Sequence, residues 1–180
     1  MFANAIGNGA VLALAVLGTI SAAPLEARDH DDFNNKMLEA TNWYRSQHGA
    51  NDVSWDHGLA DYASNHARTC VRNHSGGPHG ENIAFSTIWS SSAAWVNVFG
   101  RERAAFDFAN GGPGQNTGHF TQLVWKDTNR MGCGWAQCRD WYHVVCEYQN
   151  PGNVGGDNNR HYRENVGRQI WGNIQDEFQG

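Results

Sequence analysis

Apolar residues recur at three- and four-residue spacing through most of this chain, then switch to alternation near residues 131–149. Phe33, Met37, Ala40 and Tyr44 share one face of a helix over Asp32–His48, with an aspartate available to cap its start and Gly49 to end it. Leu59, Ala63, His66, Ala67 and Cys70 form a second stripe over Trp55–Cys70. Trp95, Phe99, Glu102 and Phe106 form a third over Ser92–Phe106. His119–Lys126 reads as a short helix. Val71–Ser86 is rich in Gly, His, Asn and Ser and reads as loop, broken by a short helical turn at Glu81-Asn82-Ile83-Ala84. Asn110–Gly118 is glycine-rich and flexible.

Alternation predicts a hairpin from Met131–Gln137 and Trp141–Gln149, the second strand setting Tyr142, Val144, Cys146 and Tyr148 against Trp141, His143, Val145 and Glu147. Asn150-Pro151-Gly152-Asn153 is a turn. The remainder is polar with isolated Ile170, Trp171, Ile174 and Phe178, and its end predicts an amphipathic helix or nothing stable. Helices on both sides of a small antiparallel sheet make an α/β fold, a three-layer α-β-α sandwich.

The chain's 180 residues suffice for one domain with a substantial core. An apolar run within Ala10–Ala23, with Ser21 and Ala23 before Pro24, reads as a signal peptide over residues 1–23. It is shorter than the roughly 20 apolar residues of a spanning helix. A polar, flexible segment over 24–32, one domain over 33–166 and a tail over 167–180 complete the expected organisation. The expected location is extracellular, and four cysteines fit an oxidising compartment. They permit three pairings. Cys133 and Cys146 flank neighbouring strands, which favours their union and leaves Cys70 with Cys138, a closure rated at roughly 4 kcal/mol in the chain-entropy model. The absence of any Cys-x-x-Cys pair argues against a cysteine zinc site. Net charge of −5 disfavours nonspecific nucleic-acid binding. Most of the 8 Trp, 5 Tyr and 8 Phe are expected in the core.

The string Gly118-His119-Phe120-Thr121-Gln122-Leu123-Val124-Trp125-Lys126, followed by Met131-Gly132-Cys133-Gly134 and Val144-Val145-Cys146-Glu147-Tyr148, resembles the signature of the CAP superfamily: cysteine-rich secretory, antigen 5 and pathogenesis-related class 1 proteins. The resemblance runs from about Lys36 to Val166 and implies the same sandwich. It also implies a cleft tetrad: His74 of Asn73-His74-Ser75, Glu81 of Gly80-Glu81-Asn82-Ile83, Glu102 of Gly100-Arg101-Glu102-Arg103, and His119. Two converging imidazoles, His74 and His119, can hold zinc or another divalent cation with positions left open. The two carboxylates then orient the rings through their second nitrogens.

Fungal and plant members of the superfamily bind sterols, and some bind fatty acids. The implied sterol site is the loop Phe106–Thr117, with Phe106 and Phe108 as the lipid-binding rings. This chain departs from the pattern there, reading Asn110-Gly111-Gly112-Pro113 where relatives place a further aromatic. His79 and Phe99 replace an aromatic and a tryptophan beside the cleft. Asn73 heads an N-glycosylation sequon overlapping the first tetrad histidine. The resulting expectation is a monomeric secreted binding protein without catalytic residues, acting in defence or host interaction through a lipid, and possessing a receptor or host protein as partner. The alternatives are a metal-dependent hydrolase, with Ser75 or Ser86 as the hydroxyls of interest, and a non-catalytic receptor-binding module.

Overall fold

The computed structural model describes residues 25–180, with side chains from Asp32 onward; the expected signal peptide lies outside the described residues. In chain order the elements are α1 (Leu25–Gln47), β1 (Ser54–Trp55), α2 (His57–Arg68), β2 (Gly80–Ser86), α3 (Ser92–Arg101), α4 (Gly118–Leu123), β3 (Arg130–Cys138), β4 (Trp141–Gln149) and α5 (Arg160–Asn165). Tight 3-10 turns lie at Glu102–Ala105 and Asp157–Asn159. The sheet order is β1-β3-β4-β2, antiparallel except for the short parallel pairing of β1 with β3.

This is the three-layer sandwich. Helix α2 covers one face of the sheet, and α1, α3 and α4 gather on the other. Glycine makes the first contact possible: a Cβ on Gly132 would stand 2.2 Å from Ala60 N, and one on Gly134 would stand 2.4 Å from Ser64 N. The α2 backbone therefore rests directly on β3. On the opposite face Met131, Cys133, Val144, Cys146 and Tyr148 join Met37 and Tyr44 of α1 and Trp95 and Phe99 of α3 in one cluster. Disulfides link Cys133 to Cys146, directly opposite each other across the β3–β4 ladder, and Cys70 to Cys138.

Several boundaries depart from the sequence reading. Helix α1 begins at Leu25, ahead of the Asp32 start read from the sequence. Asp56 accepts a hydrogen bond from Leu59 N–H at 3.0 Å and caps α2, which leaves Trp55 to β1. Helix α3 ends at Arg101, and Phe106 is extended. The expected helical turn at Glu81–Ala84 is strand β2, paired along its length with β4. Its alternation is reversed: Gly80, Asn82 and Ala84 are buried, whereas Ile83 is half-buried and Phe85 exposed. A hydrophobic pattern cannot reveal a strand that turns its large apolar residues away from the core.

The tail forms no terminal helix, yet it is fixed. Buried Arg103 donates to the carbonyls of Ile174, Asn173 and Asp176 and to Gln47 Oε1. Asn97 Nδ2 donates to Phe178 O at 3.0 Å, and Arg101 pairs with Glu177. Replacing Arg103 with Met is expected to leave those carbonyls unpaired and to cost about 3 kcal/mol in urea unfolding. Limited proteolysis should then cut within residues 167–180 faster than in the parent protein; an unchanged cleavage rate would refute the clamp.

Candidate functional site

Helix α4 has 6 residues, too few to sustain itself, and Thr117 at its N-cap contributes no side-chain hydrogen bond. Glu102 supplies the missing cap. Its Oε2 accepts from His119 N–H at 2.9 Å and from Phe120 N–H at 3.1 Å, while its Oε1 lies 2.7 Å from His119 Nδ1. The His119 ring stacks on Phe99, with centroids 5.2 Å apart. One carboxylate thus joins the end of α3 to the start of α4 and sets the imidazole between them.

The second pair repeats this arrangement. His74 Nδ1 lies 2.6 Å from Glu81 Oε1, and Ser75 N–H donates to the same carboxylate at 3.0 Å. Since an ionised carboxylate only accepts, Nδ1 is the donor in both pairs, and it is Nε2 that each ring can turn toward a ligand. His74, Glu102 and His119 line a cavity of about 830 Å3 between β2 and α3, whose apolar wall includes Ile83, Phe85, Trp95 and Val98. Glu81 lies behind His74 and borders a smaller neighbouring pocket. The four tetrad residues therefore come together as two imidazole–acid pairs. No group of three or more His, Cys, Asp or Glu able to hold a metal occurs among the described residues. Asn73 is exposed at the cavity rim, and its carbonyl accepts from His66 Nε2 at 2.8 Å. His79 packs edge-on against Tyr62 rather than joining the two pairs.

The aromatic loop differs from the sequence expectation. Phe106 is buried and packs edge-to-face on Phe108, and both rings contact Phe120. Phe108 also stacks flat on His48, whose pKa burial lowers to about 4, so a neutral imidazole meets the ring. Neither phenylalanine lines the cavity. Glycine at 112 lets the loop close against the Asp157–Asn159 turn: its φ is +106°, and a Cβ there would stand 2.4 Å from Asn159 Nδ2. Of the two rings expected to offer an open lipid face, Phe106 is turned inward and Phe108, half-buried, is held by Phe106, Phe120 and His48.

A third acid, unremarked as a site residue in the sequence, stands behind the first pair. The β2–β4 register sets Glu147 opposite Glu81. Glu147 is fully buried, and no hydrogen bond of ordinary geometry reaches either of its oxygens. Like charges directly opposite each other in a ladder repel. Burial first, and then the neighbouring Glu81, push the Glu147 carboxyl up to about 9, so it is neutral at pH 7. Burial also opposes ionisation of Glu81, but the adjacent Glu147 carboxyl and the hydrogen bonds from Ser75 and His74 outweigh it and hold its pKa below the usual value. The available signal was a lone acid within the apolar run Val144-Val145-Cys146-Glu147-Tyr148.

A carboxyl whose pKa is higher folded than unfolded favours folding at low pH and loses that advantage as pH rises toward the folded value. Glu147 should therefore make the protein progressively less stable between the ordinary 4.5 and about 9. Glu147→Gln preserves the shape, cannot ionise and can donate an amide N–H to Glu81. Urea midpoints should show the variant gaining over the parent across this window, by about 1–3 kcal/mol near neutral pH. Parallel pH profiles would show that Glu147 is not held neutral.

Residues 38–148 match the family model described as the cysteine-rich secretory protein family, CAP. Protein PRY2 of Saccharomyces cerevisiae is 39% identical over 134 residues, covering 70% of this chain and 40% of the yeast protein. The chain thus spans well under half the length of that relative. Pathogenesis-related protein 1 of Arabidopsis thaliana is 37% identical over 148 residues, covering 79% of this chain and 90% of the plant protein. Among solved structures, NaASP2 with Zn2+ is similar at a TM-score of 0.54 and 25% identity, covering 78% of this chain and 85% of that one. With the family model matched over residues 38–148, more than half of the chain, and with relatives at 37–39% identity, the chain belongs to the CAP family of cysteine-rich secretory proteins.

Proposed function

We propose that this protein is secreted, binds a sterol or another lipid, and holds a divalent cation at His74 and His119, acting in defence or host interaction. The observation that carries the reading is the meeting of both imidazole–acid pairs with one large, partly apolar cavity. Its volume, about 830 Å3, lies in the range of roughly 300–1,000 Å3 typical of small-molecule sites. No described helix is long and apolar enough to cross a membrane. Extracellular relatives support secretion: one from Candida albicans, 37% identical over 133 residues, is the secreted protein RBT4.

The donor set fits a weakly held cation. Both Nδ1 atoms face carboxylates, which leaves Nε2 of each neutral ring as the ligating atom, the arrangement in which imidazoles ligate best. His74 and His119 would supply two donors, with water or ligand completing the set, and Glu81 and Glu102 would hold the rings in place. A bound cation would polarise an oxygen brought to it. The zinc of the NaASP2 structure lends this reading support by analogy. Binding is favoured over hydrolysis because neither candidate hydroxyl engages an imidazole: Ser75 Oγ accepts from Gly77 N–H and Ser86 Oγ from Ile88 N–H. Contact of a sterol with Phe106 and Phe108 would require their loop to unstack, so the cavity is the better place for a lipid body.

Native mass spectrometry of the secreted protein, with cholesterol and zinc each added or withheld, tests both parts at once. A zinc adduct should form and should vanish in the His74→Ala, His119→Ala double variant, while a lipid adduct persists. The same spectra report a glycan on Asn73. Wild-type protein that takes up neither zinc nor any lipid would overturn the reading.

A further inference from the structure

The cavity carries a charged feature that a neutral sterol does not need. Arg72, in the loop after α2, lines the cavity, and its guanidinium carbon lies 4.7 Å from the Phe85 ring centroid and 4.4 Å from that of Trp141. Phe85 and Trp141 meet edge-to-face, so the two rings form a corner in which the guanidinium sits. No carboxylate pairs with Arg72 among the described residues, in a protein whose net charge is −5. Arg101, the other guanidinium of the cavity, is taken up by both oxygens of Glu177. The aromatic corner orients the Arg72 fork without using its hydrogen-bond donors.

Beside this cation runs the apolar wall. The reversed strand β2 turns Ile83 and Phe85 toward the open side, and α3 adds Trp95, Phe99 and the exposed Val98. We propose that Arg72 is the headgroup anchor of a lipid subsite, and that the ligand is a single-chain amphiphile with an anionic head. Its carboxylate or phosphate accepts hydrogen bonds from the Arg72 guanidinium, and its chain lies between β2 and α3. The proposal rests on the lipid-binding reading and narrows it to a ligand class and a place.

The test is equilibrium binding of palmitate, lysophosphatidate, hexadecanol and cholesterol to the purified protein, its Arg72→Gln variant and its Val98→Trp variant. Arg72 is exposed, so its replacement leaves the core intact. The parent should prefer the two anionic ligands over the alcohol by about tenfold, the size of one charge-assisted hydrogen bond. Arg72→Gln should abolish that preference and leave hexadecanol binding unchanged. Val98→Trp, which fills the cavity, should weaken all single-chain ligands. Binding of palmitate without lysophosphatidate supports the subsite with a free fatty acid as source, and the converse supports it with a phospholipid. An anionic preference that survives Arg72→Gln, or binding indifferent to Val98→Trp, overturns the subsite while the lipid reading stands. Binding of cholesterol alone does the same, and failure of all four ligands removes both.

Discussion

The Glu102 carboxylate is the joint on which the cleft depends. It leaves the 3-10 turn after α3 and gathers three donors from the first two residues following Gly118. Without those bonds the six-residue α4 would have neither a cap nor an orientation, and His119 would lose its place over Phe99. Glu81 performs the corresponding task for the loop carrying His74 and Ser75. Each acid therefore serves backbone and imidazole together. Imidazole orientation and local folding share the same four oxygens, so a substitution at either acid disturbs both.

Away from the cleft, buried guanidiniums hold irregular chain in position by donating to backbone carbonyls. Arg45, fully buried in α1, donates to the carbonyls of Asn51, Leu123, Trp125 and Thr128. Burial lowers its pKa to about 10, which still leaves it charged at neutral pH. Arg103 does the same for the tail. A guanidinium that spans several carbonyls satisfies groups that no helix or strand reaches, and orders connections that composition alone describes as loop. Two such clamps, with the two disulfides, explain how a chain with long irregular stretches closes around one core.

Much of this was legible in the sequence. Regular helical stripes located α1, α2 and α3, since their buried faces follow the ordinary period, and strict alternation located β3 and β4. The tetrad was legible through resemblance rather than through periodicity. The rest failed for identifiable reasons. Strand β2 hides behind a reversed pattern in which Asn82 faces inward, donating to His119 O and Tyr148 Oη. The tail carries no local signal because its order comes from Arg103 and Asn97, distant in sequence. Phe106 and Phe108 look available in a glycine-rich loop, but Phe120 packs on both and His48 on Phe108, contacts that no local pattern brings near.

The reversal of β2 has a physical consequence for the cavity. An ordinary edge strand would bury Ile83 and Phe85 and face polar side chains outward, gaining apolar burial while blunting its free edge. Here the inward position goes to Asn82, which ties the sheet to α4, and the apolar side chains are left to line open space beside α3. Arg72 covers part of Phe85 from one side without sealing it. Apolar walls exposed to water are a standing cost to the free protein. A ligand chain that displaced that water would recover the burial which the strand gives up.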